Sequence, residues 1–312
     1  MTRTTTNGNL RQNVAWSVGF GAVRAEVVVD GIVFGEGPVW VPDAIPGGPS
    51  LVVTSVAAGA LYRVWPERNH TELLADTGGG ANGAALAADG GILVTQNGGM
   101  DFSKLPLAVD YPYNPATPGL QLATDGAVRY LADDGFQAPN DLVVAADGTV
   151  YFTDPPHYPL PPDPTGRVLA YERDGGLRVV ADGFTYCNGI AFDRDDTLVV
   201  VEVRGLQRLL PDGEREWIVE HLGRGGGDGF CLDTEGNYYV AATVEHGVRI
   251  VDPAGNELDF LALDGDGVTT NCCFGGPDGR TLFATDAIPG RVVVWEGLPH
   301  PGLAMHMWPG PA

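Results

Sequence analysis

Serine is almost absent from this chain: four residues in 312, at Ser17, Ser50, Ser55 and Ser103. None lies in a Gly-x-Ser-x-Gly turn, which argues against a serine hydrolase of that type. Basic residues are also few. Eighteen Lys and Arg face forty Asp and Glu, for a net charge of −22. Such a balance speaks against nucleic acid and against an anionic membrane surface as partners, and fits a solvated acidic exterior. No run of 18 apolar residues occurs, so no spanning helix is expected. The six histidines show no zinc-type spacing, and Cys187, Cys231, Cys272 and Cys273 are not paired as zinc ligands would be. These cysteines read as small buried apolar residues in a reducing compartment, and the expected location is the cytoplasm. Phosphate-binding loops are missing too; Gly78-Gly79-Gly80 and Gly225-Gly226-Gly227 read as turns. The polar stretch from Met1 to Asn13 has no apolar h-region of a secretory signal. Residues 1–15 are expected to form a disordered extension, and 16–312 a single domain.

What is plentiful is glycine, at 45 residues, and proline, at 24, with no long helical period between them. They punctuate many short strands. One unit recurs: a polar residue, a short apolar run, a turn that is often Asp-Gly, and a second apolar run. Asn140-Asp141-Leu142-Val143-Val144, then Asp147-Gly148, then Thr149 to Asp154 is one copy. Six copies open on Glu36, Asn82, Asn140, Asn188, Asp228 and Asn271, with successive separations of 46, 58, 48, 40 and 43 residues. That period and those turns predict an all-β fold: a six-bladed β-propeller of four-stranded antiparallel blades. The run Ala25 to Val29 is expected to close the ring by pairing with Arg291 to Trp295.

Six blades around one axis bring the six opening residues to one mouth of the central channel. All six carry side-chain oxygens, the donors a hard cation takes. An Asn before Gly is commonly only a turn residue, but six such positions in register, two of them carboxylates, point to a site. Buried together, Glu36 and Asp228 would repel, and a shared cation would relieve that. Two proline-rich stretches, 101–121 and 156–165, lack a strand period and are expected to cover the mouth. Tyr111, Tyr113, His157 and Tyr158 would then touch substrate, together with Asn82, Asn97 and Asn271. Asp228 is the expected catalytic base, since flanking glycines let it approach the axis. Asp141 follows an opening residue, and strand alternation would turn it to the other face.

The chain resembles the senescence marker protein/regucalcin/gluconolactonase family, and its bacterial gluconolactonase branch in particular. Gly35-Glu36-Gly37-Pro38-Val39-Trp40, Pro139-Asn140-Asp141, Phe152-Thr153-Asp154-Pro155-Pro156, Asn188-Gly189-Ile190-Ala191-Phe192, Asp228 to Asp233 and Cys272-Cys273-Phe274-Gly275-Gly276 carry the resemblance, over about residues 30–295. It implies a propeller with one divalent metal in the channel, calcium before zinc or manganese. Glu36, Asn140, Asn188 and Asp228 would be the ligands, with Asp228 also the base. It further implies a metal-dependent hydrolase that opens a lactone; a small-molecule substrate and a monomer or weak homo-oligomer are expected. Gln96-Asn97 stands where many bacterial members carry Glu-His, so the substrate ring stays open. The alternatives are a non-catalytic calcium-binding propeller, or an enzyme using the same site for hydration, isomerisation or carbon–carbon cleavage of a cyclic substrate.

Overall fold

Tight turns set the strands. At Asp147-Gly148 the glycine takes φ 89°, its N–H bonds the Ala145 carbonyl at 2.9 Å, and Ala145 N–H bonds Thr149 O at 2.8 Å. Apolar runs on either side then pair antiparallel, Leu142 with Phe152 and Val144 with Val150. The computed structural model describes residues 24–211 and 213–312; the extension expected at 1–15, and 16–23 of the expected domain, lie outside the described residues.

Among the described residues, twenty-four strands form six four-stranded antiparallel sheets. Blade one is β2 (Gly35–Val41), β3 (Ser50–Ser55), β4 (Ala60–Trp65) and β5 (His70–Asp76). Blade two is β6 (Ala81–Leu86), β7 (Ile92–Gln96), β8 (Gly119–Thr124) and β9 (Ala127–Ala132). Blade three comprises β10 (Leu142–Val144), β11 (Val150–Asp154), β12 (Gly166–Tyr171) and β13 (Leu177–Phe184). Blade four holds β14 (Cys187–Phe192), β15 (Leu198–Glu202), β16 (Gly205–Leu209) and β17 (Arg215–Val219). In blade five are β18 (Phe230–Leu232), β19 (Tyr238–Ala242), β20 (Gly247–Val251) and β21 (Glu257–Ala262). Blade six joins β22 (Val268–Gly275), β23 (Thr281–Ile288) and β24 (Arg291–Trp295) to β1 (Glu26–Asp30), the first strand among the described residues. Val27 pairs with Val293 and Asp30 with Arg291, so the expected closure is the observed one. Among the described residues, helix is confined to two three-residue 3-10 turns, Pro66–Arg68 and Phe102–Lys104.

Inner strands contact one another in ring order: β2, β6, β10, β14, β18, β22 and back to β2. Six apolar clusters fill the six blade–blade seams. One packs Leu93 and Leu120 of blade two on Phe152 and Leu169 of blade three; another packs Leu51 and Val53 of blade one on Phe283 and Val292 of blade six. A seventh cluster lies at the mouth and contains Phe34, Val56 and Phe102. Because each inner strand starts at the mouth, every second strand ends there. Loops from second to third strands therefore ring the mouth, including 97–118 after β7 and 155–165 after β11. At the other end the C-terminal segment crosses the ring, with Trp308 buried and bonded through its backbone to Leu86 and Ala88.

Candidate metal centre and active site

Backbone and hydroxyl bonds fix the opening residues before their side chains matter. Thr54 Oγ1 donates to the Asn82 carbonyl at 2.5 Å, Thr153 Oγ1 to that of Asn188 at 2.6 Å, and Thr95 Oγ1 to that of Asn140. The donor is always the threonine near the mouth end of a second strand. The sequence carried this signal: Leu51 to Thr54, Ile92 to Thr95 and Tyr151 to Thr153 are apolar runs ending in Thr. Glycine follows four of the six openers. A Cβ at Gly83 would sit 2.6 Å from the Asn140 carbonyl oxygen, and one at Gly189 2.5 Å from that of Asp228. Only glycine lets neighbouring blades draw the ring this tight.

A cavity of about 420 Å³ opens at the mouth. Its lining includes Glu36, Asn82, Asn140, Asn188 and Asp228, and also Asn97, His157 and Tyr158. Glu36, Asn82, Asn140 and Asp228 are buried. The side-chain oxygens Oδ1 of Asn82, Asn140 and Asn188 are buried with no hydrogen-bond partner among the described residues. Buried amide oxygens are almost always paired, so three orphans facing one cavity call for a ligand. Burial first, and then the charges of Asp228 and Asp141, push the Glu36 carboxyl well above its ordinary value. Burial and then Asp141 raise Asp228 likewise, offset in part by the Asn188 side chain and the Gly229 N–H. Among the described residues no Arg or Lys lines the cavity to neutralise these groups. Among the described residues no cluster of three or more His, Cys, Asp and Glu forms a metal cage. The donor set is therefore carboxylate and amide oxygen together, which suits a hard divalent cation.

Three expected substrate contacts lie elsewhere. Asn271 faces away from the cavity: its Nδ2 donates to Glu36 Oε2 at 3.1 Å and to Asp141 Oδ1 at 2.9 Å, and its Oδ1 accepts from Cys272 N–H at 2.8 Å. It positions Glu36 and has no group left for substrate. Tyr111 and Tyr113 are exposed and absent from the lining. Their stretch reaches the cavity through Met100, Leu105, Pro106 and Leu107 instead, because the apolar cluster at Phe34 and Phe102 draws that part inward. His157 is at the mouth, but both ring nitrogens face carbonyls, Gly99 O and Tyr158 O, each at 2.7 Å. It ties two loops together.

Asp141 also departs from expectation. Strand β10 begins only at Leu142, so alternation does not govern the residue before it. Asp141 takes the place that glycine holds in four other blades, and is buried on the axis beneath Asn271. Burial raises its pKa to about 7, against the bond from Asn271. It lines a second, smaller cavity of about 180 Å³ that shares no lining residue with the first and is closed by Leu303 to His306. Asp154 is buried in an ion pair with Arg167 and lies in neither lining. Tyr186 escaped notice in the sequence. It lines the mouth cavity, packs on Tyr158 with ring centroids 5.1 Å apart, and meets the Asn140 side chain at its hydroxyl. All four cysteines are free; Cys231 and Cys272 sulfurs lie 3.6 Å apart in the lower cavity wall, and burial raises the Cys231 thiol.

Residues 34–288 match the family model described as the SMP-30/Gluconolactonase/LRE-like region. The chain is 27% identical over 295 residues to a gluconolactonase of Zymomonas mobilis, covering 83% of this chain and 77% of that one. A gluconolactonase structure from Xanthomonas campestris superposes with TM-score 0.71 at 25% identity, over 89% of this chain and 91% of the other. A calcium-binding protein, regucalcin, from Agrobacterium tumefaciens shares the fold with TM-score 0.73 at 20% identity, over 92% and 97%. With most of its length matched, the chain belongs to the SMP-30/gluconolactonase/LRE-like family.

Proposed function

We propose that this protein is a divalent-cation-dependent lactonase, a hydrolase that opens a cyclic carboxylic ester. The observation that carries the proposal is the trio of unpartnered Oδ1 atoms of Asn82, Asn140 and Asn188 beside the buried Glu36 and Asp228. Each orphaned amide oxygen costs about 1–3 kcal/mol, and unpaired buried carboxylates cost more. One hard cation relieves both. Glu36, Asn140, Asn188 and Asp228 would hold it, calcium before zinc or manganese, with Asn82 beside them. When bound, such a cation supplies Lewis-acid polarisation of the ester carbonyl.

This chain's residues supply the rest. Asp228 takes a proton from the attacking water at its carboxylate. Asn271 holds Glu36 in place through Nδ2. Tyr158 and Tyr186 keep their protons, since burial raises both hydroxyls and the Asp228 charge adds to it; they are neutral donors for substrate oxygens. The similarity to gluconolactonases from two bacteria over most of their lengths supports a lactone as the class of ester. Hydrolysis of a γ- and δ-lactone panel, followed by acid release, tests the proposal. Turnover should vanish on exhaustive chelation and return with calcium, zinc or manganese. Activity that survives chelation overturns the cation's role, and no turnover of any lactone by metal-replete protein overturns the lactonase.

A further inference from the structure

The mouth cavity has two unlike parts. Its floor is Glu36, Asn82, Asn140, Asn188 and Asp228, all from the starts of inner strands. Its upper wall comes from mouth loops and is largely hydrocarbon, including Phe34, Val56, Met100, Leu105, Leu107 and Val203. This wall is built and held. Phe34 and Val56 belong to the mouth cluster with Phe102, against which Met100, Leu105 and Leu107 pack. The Phe34 and Phe102 rings meet at 4.9 Å. Two more apolar residues, Pro156 and Leu160, come from the second loop.

Several polar groups near this wall are spent inside the protein, while Tyr158 and Tyr186 keep their hydroxyls for the ester oxygens. His157 gives both ring nitrogens to carbonyls, Asn97 Oδ1 accepts the Gly99 N–H at 3.0 Å, and Thr270 Oγ1 donates to Gly35 O at 2.7 Å. Among the described residues the lining contains no Arg or Lys, and its acidic members are two carboxylates. A polyhydroxylated ring needs several donors and acceptors, because each hydroxyl taken from water unpaired is penalised. With its two carboxylates offsetting the divalent cation, the described lining offers an anionic substrate no net positive charge. A neutral lactone with a hydrocarbon substituent satisfies both parts, its ester on the floor and its substituent on the wall.

From this arrangement we infer that the substrate is a neutral lactone carrying an alkyl or aryl substituent, rather than a polyhydroxylated sugar lactone. The inference rests on the lactonase reading of the same site. The test measures kcat/KM, corrected for spontaneous hydrolysis, for glucono-δ-lactone, δ-valerolactone and δ-lactones bearing methyl to pentyl chains. Calorimetric titration with the matching alkyl δ-lactams, which resist hydrolysis, runs beside it.

Burial of each methylene should raise kcat/KM about fourfold until the wall is filled. In the Leu105→Gln/Leu107→Gln protein this chain-length slope should flatten. The slope is a ratio within one protein, so a lower yield of folded variant does not affect it. Glucono-δ-lactone turned over as well as or better than the pentyl compound overturns the inference and leaves the lactonase standing. No turnover, with lactam affinity still rising along the series, overturns the lactonase and keeps the apolar wall. No turnover and no such rise overturns both.

Discussion

Asp228 and Asp141 are both buried aspartates on the channel axis, and their surroundings give them different work. Asp228 lines the mouth cavity beside the Asn188 oxygen that lacks a partner among the described residues. Asp141 lies below, bonded to Asn271 and screened from that cavity. Of these two aspartates, only Asp228 lines the cavity proposed to hold substrate. The Asp228→Asn protein keeps shape and one donor oxygen but has no base, so kcat should fall about 100- to 10,000-fold at saturating cation. Turnover near that of the parent protein would remove Asp228 from the role. The sequence made Asp228 legible as a carboxylate at a repeat position. It hid Asp141, because strand alternation does not govern a residue that precedes its strand. It hid Tyr186 as well, because Thr185-Tyr186 stands outside the repeated unit and nothing local marks it as facing the axis.

At the scale of elements, inner and second strands could be read directly, since apolar runs joined by Asp-Gly turns leave little choice of pairing. Outer strands could not. In β13 and β17 most residues are exposed or half-buried, so no apolar run marks them. Blade one shows the consequence: Ala60–Trp65 is its third strand, and the outer place belongs to His70–Asp76. The long loop after β7 was legible as a mouth element, but its working half was not. Aromatic residues suggested Tyr111 and Tyr113, whereas the chain folds inward at Phe102, which is buried against Phe34. Replacing both tyrosines by serine should therefore change the ratio of rates on two lactones by no more than about twofold, the usual range for exposed positions. A larger change in that ratio would show that these rings reach the substrate.

Seen as a whole molecule, the ring gathers Glu36, Asn140, Asn188 and Asp228 from four different blades, and only the folded chain brings them together. A cation bound there must stabilise the fold by mass action, about 2.7 kcal/mol at a hundredfold excess over Kd. The pH dependence follows from the carboxylates. Burial raises Asp141 from 3.8 to about 7, and Glu36 and Asp228 also move upward. Without cation, the unfolded chain releases these protons at lower pH than the folded one. Between 3.8 and about 7 the folded state thus binds more protons, and stability falls as pH rises through that window. A cation acts the other way, since it binds the ionised carboxylates and gains affinity as protons leave. The difference in melting temperature between calcium-loaded and chelated protein should therefore widen from about pH 5 to pH 8. The chelated protein should supply part of that widening by melting lower at the upper end. A difference that stays constant or narrows would mean that these buried carboxylates do not hold the cation, even if calcium stabilises the protein from some other place.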